Sequence, residues 1–166
     1  VNINLVFSEY WKRWHQDIYK IQSAIFKIGY IDSYSFKSKQ YPNHIAYCSQ
    51  TLVEDGRISK KHMLKFYLVL NQMAVKSNSK IVVKVHPRNS SWTLKIFEKL
   101  EFYLEKDKIP LGKFTIGHYS TLLPIWGIFN SKILIFELPE HKTPESIKGI
   151  SSNIISFEDF QNFNEN

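Results

Sequence analysis

The chain has 166 residues, enough for one ordinary domain and too few for two full ones. Hydrophobic residues make up 43%, which excludes a disordered chain. The single cysteine, Cys48, excludes an intramolecular disulfide and fits a reducing compartment. The formal net charge of +7 favours anionic partners, namely nucleotides, phosphates, membrane surfaces or nucleic acid, without choosing among them.

No apolar run approaches the roughly 20 residues that cross a bilayer. Val1 to Phe7 is too short and lacks the basic opening of a signal peptide. The absence of an initiating Met fits a start inside a larger protein. Asn2 to Phe7 reads as a short buried strand, and Ser8 caps a helix over 9–26 in which Trp11, Trp14, Ile18, Ile21 and Ile25 form an apolar stripe. Lys27 to Ile31 is a weaker strand, and polar Asp32 to Asn43 reads as a connection. The segment 1–43 is thus expected to pack as an inter-domain strand and helix on a main domain over 44–166.

His44 to Ser49 reads as a strand, Gln50 to Arg57 as a loop, and Ser59 caps a helix to about Val75 with Met63, Phe66, Leu70 and Met73 on one face. Lys80 to Val85 is a β-branched run suited to a strand buried on both sides. A helix over 91–104, a strand over 113–116, a helix over 120–129 and a strand over 132–138 follow. Pro144 to Lys148 reads as a helical turn, Asn153 to Ser156 as a strand, and Glu158 to Phe163 as a terminal helix. Strands alternating with helices predict an α/β fold, a parallel sheet with helices on both faces. Ligands of such sheets bind at the C-terminal ends of the strands.

Those ends carry the ionisable residues. His86, fixed by Pro87, suits donation to a phosphate oxygen, and Arg88 adds a forked donor for oxyanions. The same histidine also suits a strand end bonded to a neighbouring carbonyl. Gly117 admits a ligand to the backbone, and His118 beside it is expected to bind substrate. Ser120 and Thr121 fall at an expected helix N-terminus, where phosphate or an ordinary cap is favoured. Glu54 and Asp55 precede a turn at Gly56 and read as rim residues or a solvated acidic turn. Glu137 suits a ribose or base edge, or a satisfied strand end. The histidines show no metal-ligand spacing, and no metal or cofactor is expected.

The order Glu-Asp-Gly at 54–56, Lys-x-His-Pro-Arg at 84–88 and Gly-His-Tyr-Ser-Thr at 117–121 resembles the C-terminal half of bacterial two-domain GT-B glycosyltransferases. The sialyltransferases and polysialyltransferases of capsules and lipooligosaccharides are the nearest in pattern. Phe7-Ser-Glu-Tyr-Trp-Lys12 also looks like the stretch before the second domain of capsule and teichoic-acid transferases. The resemblance implies a Rossmann-like domain, one half of a GT-B fold, that takes sialic acid from CMP-sialic acid to a surface glycan by inverting, metal-independent displacement. It implies His86 as the catalytic residue at the leaving phosphate, with Ser120 and Thr121 on the same phosphate. The family's acidic motif lies in the other domain, so Asp55 is taken as a rim residue and the base as a residue of an N-terminal acceptor domain not present here. The implied partners are a nucleotide sugar, a glycan acceptor and an anionic membrane surface, with no nucleic acid. The implied place is the cytoplasm or the inner face of its membrane. The alternatives are a CDP-glycerol or CDP-ribitol polymer transferase, a degenerate domain kept for assembly, and a non-catalytic basic binding domain.

Overall fold

Apolar runs set the central strands of the main sheet, and Ser59 and Ser90 cap two of the helices between them. The computed structural model describes residues 3–6, 9–20, 24–27, 35–129, 131–138, 143, 144, 147 and 153–155. The expected terminal helix at 158–163 lies outside them. The chain divides into two compact units, 1–36 and 37–166.

In the first unit, β1 (Ile3–Val6), α1 (Glu9–Asp17) and β2 (Ala24–Lys27) form a β-α-β unit whose strands pair parallel, Ile3 opposite Ala24. The expected helix over 9–26 therefore stops early. Lys20 adopts a left-handed φ of 49°, and Ala24 to Lys27 pair with β1 instead of continuing the helix.

The second unit begins before residue 44, because β3 (Ser38–Gln40) pairs parallel with β7 (Ile109–Leu111) and Tyr41 N–H donates to Leu111 O at 2.8 Å. This moves the expected boundary from 43/44 to 36/37. The main sheet has six strands: β4 (His44–Cys48), β5 (Lys80–Lys84), β6 (Tyr103–Glu105), β8 (Thr115–Gly117), β9 (Ile133–Phe136) and β10 (Asn153–Ile155). Their order is β10-β9-β8-β4-β5-β6, and every pairing is parallel. The fold is α/β and Rossmann-like, as the alternation predicts.

Alternate strand residues face opposite layers. Ile45, Tyr47, Ile81, Val83, Ile116 and Phe136 share one core with Met63, Phe66, Tyr67 and Leu70 of α2 (Lys60–Lys76) and Phe97 of α3 (Ser91–Lys99). Each such buried side chain stabilises the fold by roughly 1.5–3 kcal/mol. On the opposite face, Ala46 and Val82 meet Tyr41. Leu123 of α4 (Leu123–Ile128) packs there against Gly117, and Trp126 Nε1 donates to Pro110 O at 2.8 Å. A β-carbon at Gly112 would run into the backbone of His44 and Ala46, so this glycine lets the chain pass beside β4 on its way to β8.

Two further helices differ from expectation. α3 ends at Lys99, not at 104, because Glu101 takes a left-handed φ of 56° and Tyr103 and Leu104 pair with β5. The helix expected from Ser120 begins at Leu123. Among the described residues no helix is long and apolar enough to cross a membrane.

Candidate functional site

From β4 the chain crosses through α2 to β5 and through α3 to β6, building outward on one side. It then returns to place β8 on the other side of β4, and β9 and β10 beyond it. Loops leaving β4 and β8 thus diverge, and the crevice between them is where doubly wound sheets bind ligands. A cavity of about 280 Å³ lies there. Gln50, Thr51, Leu52, Asp55 and Arg57 reach it from the β4 loop, His86 and Arg88 from the β5 loop, and Tyr119, Ser120 and Thr121 from the β8 loop.

Hydrogen bonds fix the three loops to one another. Asn89 Oδ1 accepts both Ser49 Oγ–H and His86 N–H, each at 2.9 Å, tying β4 to β5. Gln50 Oε1 accepts Tyr119 N–H at 3.1 Å, tying β4 to β8. His86 Nδ1 accepts Arg88 N–H at 3.1 Å. In the neutral ring the proton then sits on Nε2, leaving a donor for a ligand. Arg57 Nη1 donates to Tyr119 OH at 3.1 Å and its guanidinium lies 5.5 Å from the ring centre, so a cation and an aromatic face are paired at the cavity. Arg88 Nη2 donates to Thr51 Oγ at 3.2 Å while Nη1 lies 3.4 Å from Asp55 Oδ1.

Of the residues expected on the rim, His86, Arg88, Asp55, Ser120 and Thr121 line this one cavity. Pro87 is exposed beside His86 and does not line it. Glu54 turns the other way: Oε1 accepts Ser90 N–H at 2.7 Å and Thr93 Oγ–H at 2.8 Å at the start of α3. Burial would raise its carboxyl, but the hydrogen bonds from Ser90 and Thr93 outweigh that and hold it below the usual range. Glu54→Ala should therefore cost about 1–2 kcal/mol of stability by leaving Ser90 N–H and Thr93 Oγ–H without their acceptor, with the cavity's own groups unchanged. Chemical denaturation checks the loss, and an unchanged midpoint would sink this assignment.

Four further expectations are corrected. Gly117 does not open the backbone to a ligand: Leu123 fills that space, its side chain 2.5 Å from where a β-carbon would stand. His118 is fully buried, its Nδ1–H donating to Phe136 O at 3.0 Å and its Nε2 accepting from Tyr47 OH at 3.2 Å. Burial lowers this imidazole to about 4, so it is neutral at pH 7. Glu137 Oε1 accepts Thr143 N–H at 2.8 Å, and Glu137 does not line the cavity. Ser120 Oγ accepts Leu122 N–H at 3.1 Å ahead of a six-residue helix whose own cap, Leu122, makes no side-chain bond. The phosphate-binding helix start expected at Ser120 is therefore replaced by a loop that offers two hydroxyls.

Arg57, Gln50, Thr51, Tyr119 and the clamp Asn89 were not singled out from sequence. Each lies within five residues of one that was, which is the signal that could have found them. Cys48 ends β4 fully buried, and burial pushes its thiol up to about 12, so it is no nucleophile at neutral pH. Among the described residues no group of His, Cys, Asp and Glu is placed to hold a metal ion. No protein-family model matches the sequence, and no curated protein matches it.

Proposed function

We propose that this cavity binds the phosphate of a nucleotide sugar, and that the chain is the donor-binding part of a glycosyltransferase akin to the capsule sialyltransferases. One observation carries the reading: two arginines, the Nε2–H of His86 and the hydroxyls of Ser120, Thr121 and Tyr119 converge at the point where the strand order reverses. Such donors favour an oxyanion, and they are held by hydrogen bonds within the loops rather than ordered on binding. At about 280 Å³ the cavity sits just under the roughly 300–1,000 Å³ of small-molecule sites, room for a phosphate and part of its nucleoside.

In this reading the acceptor hydroxyl, deprotonated by a base from an acceptor domain, attacks the anomeric carbon. CMP leaves, and His86 Nε2–H with Arg88 stabilises the charge that develops on its phosphate. The cytidine nucleotide and the sialic acid rest on the resemblance of residues 84–88 and 117–121. A net charge of +7 supports a place beside the anionic inner face of the cytoplasmic membrane.

Calorimetric titration with CMP, CDP, UMP, UDP and GDP tests the reading. Cytidine nucleotides should bind most tightly, and absence of binding by all five would reject the site. The donors around the cavity are N–H and O–H groups and cations, so EDTA should leave CMP affinity unchanged. Loss of binding in EDTA, restored by a divalent ion, would overturn the metal-free mechanism.

A further inference from the structure

Among the cationic and hydroxyl groups of the cavity stands one carboxylate, Asp55. Its position is built, not incidental. Asp55 N–H donates to Thr51 O at 2.8 Å, Thr51 Oγ–H donates to Asp55 Oδ2 at 2.8 Å, and Gly56 turns the chain with φ of 67°. The neighbouring Glu54 is pinned to the start of α3, so the loop cannot swing Asp55 away without breaking those two bonds. The other end of Asp55 faces Arg88, with Oδ1 3.4 Å from Nη1.

We propose that Asp55 is a resident counter-anion of the donor site, one that a ligand phosphate must displace from Arg88 and that disfavours ligands of higher negative charge. The inference rests on the phosphate-binding reading above. The Nη1–Nη2 edge of Arg88, engaged by Asp55 and Thr51, cannot at the same time grip a phosphate with both its nitrogens. The ligand's phosphate takes Arg88, Asp55 stays on Thr51 Oγ–H, and two anions are left close together. Their repulsion grows with the charge of the ligand. The phosphate of a sugar-linked nucleoside monophosphate is a diester with one negative charge; the second charge of a sialic acid donor sits on the sugar's carboxylate and not on the phosphate that meets Arg88. The nucleotide released after transfer is a monoester, doubly charged above its second pKa of about 6. Asp55 therefore disfavours the doubly charged phosphate of the spent nucleotide against the singly charged phosphate of the donor.

The test titrates the full chain with CMP and with the methyl ester of CMP at pH 8, comparing wild type with Asp55→Asn. The variant should bind CMP about fivefold more tightly and the methyl ester only about twofold, in line with a partly exposed ion pair. Asp55→Ala removes the same charge without adding an amide and should shift both affinities in the same direction. Unchanged or weaker CMP binding in both variants overturns the proposal, and equal gains for the two ligands overturn the charge discrimination. If wild type binds CMP and Arg88→Gln weakens it while Asp55→Asn changes nothing, only this inference falls. If wild type and both Asp55 variants stay folded and bind neither ligand, the phosphate-site reading falls with it.

Discussion

Replacing His86 with alanine should weaken CMP binding about ten- to hundredfold, the loss of one charge-assisted hydrogen bond of roughly 1.5–3 kcal/mol. His86 is the second residue after β5 and lines the cavity at its strand-end rim. Its ring is half-buried, so truncation leaves no large void. It has a second job, since Nδ1 accepts Arg88 N–H. Two substitutions separate the two. Asparagine places an acceptor near Nδ1 and removes the distal donor, so His86→Asn should keep the melting temperature and lose the affinity. Glutamine places an amide N–H near Nε2, so His86→Gln should recover part of the binding. If all three variants melt lower and bind CMP as wild type does, His86 is a structural strand end and the donor-site assignment loses its central residue.

What the sequence made legible follows from how local its causes are. β4 and β5 are continuous apolar runs, and α2 carries its cap at Ser59 and its stripe at Met63, Phe66 and Leu70, so pattern alone places them. β3 and β7 have three residues each; β3 is wholly exposed and β7 contains Pro110. They are strands because they pair with each other, Ser38 opposite Ile109 and Gln40 opposite Leu111, a tertiary cause no local window holds. The Ile18, Ile21 and Ile25 spacing mimics a helix, yet pairing with β1 wins at Ala24 to Lys27. Left-handed turns at Lys20 and Glu101 close two helices without the glycine that usually marks such a place.

The site divides in the same manner. The rule that strand ends carry the ligand leads to His86, Arg88 and the loops holding Asp55 and Ser120. It does not decide which of two adjacent residues turns toward the cavity. Glu54 turns to α3 while Asp55 enters the cavity, and His118 turns into the core while Tyr119 enters it. The partner each one finds, Thr93 or Phe136, comes from a distant element, and composition is silent on it.

Acidification from pH 6.5 to 4 should lower the unfolding free energy by roughly 3 kcal/mol, most of it through His118. Three aromatic rings, of Phe66, Tyr47 and Phe136, surround the imidazole edge-on at 4.9, 5.9 and 6.0 Å between centres. Burial there lowers it to about 4, against the weaker upward pull of the bond to Phe136 O. The sign follows from which state takes the proton. Below its ordinary value of about 6.5 the unfolded chain binds a proton at His118 while the folded chain does not until about pH 4. Stability is therefore full at neutral pH and falls as pH drops through that window. The folded protein resists because the added charge would be buried among these rings, away from water. His44, lowered by burial and by Lys80, adds in the same direction. Glu54 and Glu105, both held below the usual carboxylate range, act only at the acidic end of the window. His118→Asn keeps a donor near Nδ1 for Phe136 O and cannot titrate. It should start less stable at pH 7 and show a clearly shallower fall toward pH 4.5 in urea denaturation. Equal slopes in the two proteins would show that the acid sensitivity arises elsewhere and that His118 exchanges its proton as freely in the fold as outside it.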